Sequence, residues 1–210
     1  MFREVLRKVC TVELGHEVVG EAGDGQGAVQ VVATTRPDLV LLDLHLPLLD
    51  GFGVVEAIRI HVPSVRILVL SSHCDEYTVY RSERAYVQGF VDKNTNTVAM
   101  LQAAIGAVAA GKVWFSDAFM KAKAARIRDP KSFDKILTQR ERDVLALVGL
   151  PLSDAEISAE LRIAIETVEK HRFNILRKLE LQTTTELVRY AREHGFTLTA
   201  RSGDGGALLP

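Results

Sequence analysis

An α/β domain built on a doubly wound parallel sheet, followed by a smaller all-α domain, is the fold that these 210 residues predict. Short apolar runs of strand length, at residues 39–44, 65–72 and 88–93, alternate with stretches of helical periodicity as far as residue 110. The three runs finish on polar groups, Asp43, Ser71 and Lys93. From Leu137 onward the apolar spacing is helical throughout.

Phe2, Val5, Leu6, Val9 and Val12 recur at helical spacing and predict an amphipathic helix to about Leu14. Gly15-His16 ends it, and residues 18–22 read as a short strand. Asp24 is an N-cap for a helix to about Thr35, with Ala28, Val29, Val31 and Val32 inward. The run Leu39 to Leu42, with Leu44 just beyond Asp43, reads as a strand buried on both faces. Pro47 and Asp50-Gly51 turn the chain into a helix over 53–60. A strand at 65–72, a helix at 76–86, a strand at 88–93 and a long apolar helix at 95–110, closed by Gly111, complete the domain. Residues 116–136 read as a partly helical linker, with Ser116-Asp117 capping a short helix and Asp129-Pro130 breaking it. Thr138 and Glu141 form a capping box, Val144, Leu145, Leu147 and Val148 make the apolar face, and Pro151 stops that helix. Ser153 or Asp154 caps a short helix carrying Ile157 and Leu161. A turn at Arg162-Ile163-Ala164 leads to a longer helix at 166–179, and a final helix covers 184–193 up to His194-Gly195. The tail, 197–210, is rich in glycine and small residues and is expected to be disordered. The expected division is therefore 1–115, 116–136, 137–196 and 197–210.

Hydrophobic residues at 47% and charged residues at 25% are ordinary globular values. No apolar run approaches the roughly 20 residues of a membrane helix. Cys10 and Cys74, without CxxC spacing, argue against a disulfide framework or a cysteine metal site and fit a reducing, cytoplasmic compartment. Net charge is −1 overall, divided mildly between an acidic N-terminal part and a basic C-terminal part. An enzyme of nucleotide chemistry is disfavoured, because Gly23-Asp24-Gly25-Gln26-Gly27 lacks both the spacing of a dinucleotide loop and the Lys-Ser/Thr of a P-loop.

In open α/β sheets the chemistry sits beyond the carboxyl ends of the strands, where Asp43, Ser71 and Lys93 stand. A phosphoryl group moving onto a carboxylate carries dispersed negative charge, which an ammonium and a hydroxyl donor stabilise. The stretch from Pro37-Asp38 through Leu41-Leu42-Asp43 to Pro47 and Asp50-Gly51, with this trio, resembles the phosphoacceptor strand and loop of two-component response-regulator receiver domains. The resemblance implies a flavodoxin-like receiver fold and phosphorylation of Asp43 by a sensor histidine kinase. It implies that Ser71 closes over the phosphoryl oxygen while Phe90 swings inward. It also implies Mg²⁺, held by Asp43 and the backbone carbonyl of His45 together with an adjacent acidic pair. That pair ends the family's first, central strand. Here Phe2-Arg3-Glu4 already matches the helix after that strand, and no adjacent acidic pair precedes Val18. Poor Mg²⁺ affinity is therefore expected. The strands at 18–22 and 39–43 are expected either to pair directly or to leave the first helix and its strand loosely held.

A short helix, a tight turn and a longer helix with exposed cations make helix-turn-helix geometry. Leu137-Thr138-Gln139-Arg140-Glu141, Glu156-Ile157, Thr167-Val168-Glu169-Lys170-His171-Arg172 and Lys178-Leu179 resemble the four-helix DNA-binding domain of LuxR/NarL-type (FixJ-type) regulators. Pro151 departs from the family's usual glycine. The resemblance implies double-stranded DNA as partner, with Glu169 and Lys170 facing base edges. Thr167, Arg172, Asn174, Arg177 and Lys178 would position the phosphate backbone. Leu187, Val188 and Ala191 of the last helix would form the contact of a homodimer. Phe173 falls outward and receives no role. The expectation is a transcription factor in which phosphorylation controls dimerisation and DNA binding. The alternative is a phosphorylation-independent regulator whose receiver only docks or dimerises.

Overall fold

The computed structural model describes residues 2–94 and 97–196, the side chain of Phe2 excepted. The expected tail at 197–210 lies outside them. Helix α1, Phe2–Lys8, widens into a π turn over Val9–Glu13, and α2 spans Gly25–Thr35. Then β1, Leu39–Asp43, alternates with α3, Gly51–His61, β2, Arg66–Ser71, α4, Glu76–Arg84, and β3, Gly89–Asp92. Helix α5, Val98–Ala109, leads to a two-residue strand β4, Trp114–Phe115, and to α6, Asp117–Arg128. Aspartates begin three of these helices for the same reason: the first amides of a helix lack partners within it. Asp24, Asp50 and Asp75 accept hydrogen bonds from the N–H groups of Gly27, Gly53 and Thr78.

The sheet is parallel, in the order β1-β2-β3-β4. Alternation along its strands supplies two cores. Leu39, Leu41, Leu68, Leu70 and Val91 meet Val9, Cys10 and α5 on one face. Val40, Leu42, Ile67, Val69 and Phe90 meet α2, α3, Val79 and Phe119 on the other. Helices thus cover both faces, as the doubly wound expectation requires.

Residues 18–22 depart from expectation. They form no strand and do not pair with β1. A cleft of about 1050 Å³ separates them from Leu39, Leu41 and Asp43. A parallel ladder needs a strand at about 5 Å, and the position between these segments holds none among the described residues. β1 is consequently an edge, and Leu39, Val40 and Leu41 are half-buried rather than enclosed on both faces. The first helix is nonetheless anchored, with Val9 and Cys10 buried against α5. A second departure concerns the expected linker. Its helix α6 packs into the sheet domain, Phe119 lying buried against Phe90 and Phe115 at ring distances of 5.1 and 4.6 Å.

Beyond it come a short turn of helix, α7, Phe133–Ile136, and four helices: α8, Gln139–Val148, α9, Asp154–Leu161, α10, Ile165–Lys178, and α11, Thr184–Glu193. Capping boxes start three of them, pairing Thr138 with Glu141, Ser153 with Glu156 and Thr183 with Glu186. Pro151 lies in the turn after α8, and the helices still close on Val144, Leu145, Ile157, Val168, Ile175 and Leu187.

Glu141 ties this domain together. Its carboxylate accepts from the Thr138 N–H at 2.8 Å and from Lys178 Nζ on α10 at 2.7 Å, with the side chain only 5% exposed. Burial alone pushes its pKa up, but the hydrogen bonds from Lys178 and Thr138 outweigh that and hold it below the ordinary value. Glu141→Ala leaves the Thr138 amide and the Lys178 ammonium without their partner and should destabilise the domain by about 2–4 kcal/mol in chemical denaturation. Because the folded-state pKa is depressed, the stabilisation is complete above the unfolded value, about 4.3, and is lost as pH falls through the folded one. The same denaturation series at falling pH should show a smaller loss in Glu141→Gln than in the wild type, since Glu156 and Glu186, whose caps also lower their pKa values, remain.

Candidate phosphoacceptor pocket and nucleic-acid interface

Register brings the polar strand ends together, with Asp43 beside Leu70 and Ser71 beside Asp92. Asp92 accepts from the Asn94 N–H, fixing the turn that delivers Lys93. Lys93 Nζ then reaches Asp43 Oδ2 at 2.5 Å across the width of β2, while the His45 N–H donates to Asp43 Oδ1 at 3.0 Å. The backbone N–H of Lys93 donates to the Ser71 carbonyl at 2.9 Å. Ser71 is fully buried, and its Oγ accepts from the His73 N–H at 3.1 Å. The rings of His45 and His73 lie 4.5 Å apart beside the pocket. Burial and the neighbouring His73 lower the pKa of His45, against the opposing pull of Asp43. Phe90 is fully buried, already turned in against Phe119.

The donors at this pocket do not fit Mg²⁺. Both oxygens of Asp43 are engaged, Oδ1 by the His45 N–H and Oδ2 by Lys93. Among the described residues no group of three or more His, Cys, Asp or Glu side chains could hold a metal ion. A hard divalent ion needs more carboxylate oxygen than this.

In the second domain, Arg162 in the left-handed region at φ 53° turns the chain from α9 into α10. The side chains expected to meet DNA fall into two groups. Glu169, Lys170 and Arg177 are exposed along the outer face of α10. Arg172 and Lys178 are committed within the fold, to Asp154 at the start of α9 and to Glu141 on α8. Thr167 and Asn174 are half-buried. The expected dimer contact needs correction. Leu187 and Ala191 are fully buried in the domain's own core, and only Val188 is partly exposed. Helix α11 spends that face on α8, which its amphipathic spacing could not reveal. A further side chain, Phe173, stands 66% exposed on the outer face of α10.

The model of the response regulator receiver domain family matches residues 1–105, and that of the bacterial regulatory proteins of the luxR family matches 135–191. The transcriptional regulatory protein MctR of Rhizobium johnstonii is 35% identical over 183 residues, covering 85% of this chain and 82% of MctR. The response regulator VraR of Staphylococcus aureus is 32% identical over 178 residues, covering 85% of each. The chain is a LuxR-family response regulator. Such regulators act by binding DNA to control transcription, not as enzymes. Among solved structures, RcsB of Salmonella enterica serovar Typhimurium, bound to a promoter in the presence of phosphomimetic BeF3−, matches with a TM-score of 0.60 at 21% identity over 91% of this chain and 93% of RcsB. A LuxR-family response regulator from Aurantimonas matches at 0.56 and 30% identity, over 60% of this chain and 90% of its own.

In this response regulator the two domains meet at α4. The backbone N–H of Tyr77, in the first turn of α4, donates to the carbonyl of His194 at the end of α11, at 3.2 Å. His194 Nδ1 lies 3.2 Å from Glu76, and the Tyr77 ring stacks on Phe196 at 4.0 Å. Phe133 packs edge-on against Tyr77 and Tyr80, and buried Arg126 bridges Glu83 to Asp134. Burial raises the pKa of Tyr77, partly offset by Arg81. Gly195 makes the approach possible. It sits at φ +80°, and a Cβ there would overlap the Asp75 carboxylate. Gly195→Ala should therefore open the junction, at about 1–2 kcal/mol for the backbone conformation alone. Hydrogen exchange should show the Tyr77 amide deprotected while the amides of α8 and α10 stay protected; unchanged exchange at Tyr77 would rule out this role for Gly195.

Proposed function

We propose that this regulator binds double-stranded DNA as a homodimer in the cytoplasm, and that phosphorylation of Asp43 by a sensor histidine kinase shifts it toward the DNA-binding state. The observation that carries the reading is the continuity from pocket to junction. Ser71, at the end of β2, holds the His73 N–H, and two residues later Asp75 caps the helix on which α11 rests. A phosphoryl oxygen on Asp43 would accept from the Ser71 O–H and from Lys93, and turning of the Ser71 side chain toward it would carry Oγ away from the His73 N–H. Two arrangements of residues 71–77 would then bias the hold on α11. The resemblance to RcsB, a structure of which is described as dimers bound to DNA, supports the dimeric part of the reading. Within the DNA face, exposed Glu169 and Lys170 would meet base edges, and Arg177 phosphate.

A second reading is favoured by one observation. Asp43 is already neutralised by Lys93 at 2.5 Å. The receiver would then work without phosphorylation, as a docking or dimerising module. Intact mass spectrometry after incubation with acetyl phosphate, with and without Mg²⁺, separates the two. Under the first reading a phosphoryl adduct forms, is absent in Asp43→Asn, and tightens binding to DNA; wild-type behaviour of Asp43→Asn in DNA binding would leave the second reading standing. Under either reading, Lys170→Ala should weaken binding to the selected duplex by about tenfold in a mobility-shift titration.

A further inference from the structure

Among the described residues of 129–196, the exposed large apolar side chains are Ile165 and Phe173, and both lie on α10. The helix sends its other large apolar residues inward: Val168 and Ile175 are fully buried, and Leu176 is packed against the same core. Phe173 instead stands on a row of i, i+4 neighbours, Ile165, Glu169, Phe173 and Arg177, with Lys170 one turn back on the flank. This is the face that the proposed function directs into the major groove. A phenyl ring offers no hydrogen bond to a base edge. The apolar group that the major groove presents is the C5-methyl of thymine. With two side-chain torsions, the ring loses little freedom on contact.

We infer that Phe173 is a specificity-determining residue whose ring packs against a thymine methyl in the major groove. The inference rests on the DNA-binding reading and deepens it. Along the helix axis Phe173 lies about 4.5 Å from Lys170 and about 6 Å from Glu169, and base pairs are spaced about 3.4 Å apart. The thymine therefore sits one to two base pairs from the position read by Glu169 or Lys170, in each half-site.

The test begins with selection of duplexes from a randomised library by the full chain. Each thymine of the selected duplex is then replaced singly by deoxyuridine, which removes the methyl group and leaves the hydrogen-bonding edge. The expected result is one position per half-site where deoxyuridine weakens wild-type binding by about threefold to tenfold. At that position Phe173→Ala should bind the two duplexes equally, with its thermal unfolding unchanged because the ring is exposed. Phe173→Leu should keep part of the discrimination. Indifference of the wild type to deoxyuridine at every position, or discrimination that persists in Phe173→Ala, overturns the inference. Failure to enrich any sequence would instead overturn the DNA-binding reading beneath it.

Discussion

The first amides of an α-helix have no partners inside it, and at α4 they are claimed from two sides. Asp75, from the loop after β2, takes the Thr78 N–H. The carbonyl of His194, from the far end of the other domain, takes the N–H of Tyr77. The end of one helix dipole therefore faces the beginning of another, an attractive arrangement of partial charges. Around this contact Tyr77, Tyr80, Phe133 and Phe196 close an apolar seam that continues the core of the DNA-binding domain into the receiver. The relation between the domains follows from it. A shift of residues 72–75 would move the cap, Asp75, and the docking amide of Tyr77 together, because they are two residues apart on one turn.

A different constraint governs the opposite side of the sheet. Unpaired backbone along a strand edge seeks a partner, and β1 presents such an edge to the cleft facing residues 18–22. The consequences reach the pocket. Asp43 belongs to that edge strand, so its carboxylate is held from the interior side by Lys93 and by the His45 amide, with nothing but the cleft beyond. A lysine at 2.5 Å supplies charge without the geometry of a metal ion. It can neutralise the carboxylate, but it does not gather phosphoryl oxygens as an octahedral ion does.

Much of this was legible from residue types. The runs at Leu39, Ile67 and Phe90 could only be strands of a covered sheet, and the polar residues ending them had to converge once the strands were parallel neighbours. The capping box at Thr138 announced its helix because that chemistry is local. What stayed hidden depends on tertiary choice. Residues 18–22 have β-forming composition, yet a strand is a relation between two segments, and among the described residues no strand lies beside them. Leu187 and Ala191 carry the spacing of an apolar face, which says that the face is covered and not by what. Phe119 lay in a segment that reads as a linker because lysines, arginines and alanines surround it. Phe119, buried against Phe90 and Phe115, and the pairing of Lys123 and Arg126 with Glu83 hold that helix on the sheet domain.

Helix α10 has two tasks, and its cations divide accordingly. Lys178 and Arg172 meet Glu141 and Asp154, and both ion pairs join α10 to the helices on which it rests. Those charges hold the orientation of the helix, and would meet the phosphate backbone only with the N–H donors the ion pairs leave over. Exposed on the outer face is a short row in which Glu169, Lys170 and Arg177 flank a phenyl ring, the row that the proposed function turns toward the groove. Acid, base and hydrocarbon along one face provide little unspecific attraction to a polyanion. They suit a surface whose affinity depends on the base pairs it meets, since a carboxylate in the wrong place repels phosphate and an aromatic ring gains only where a methyl group faces it.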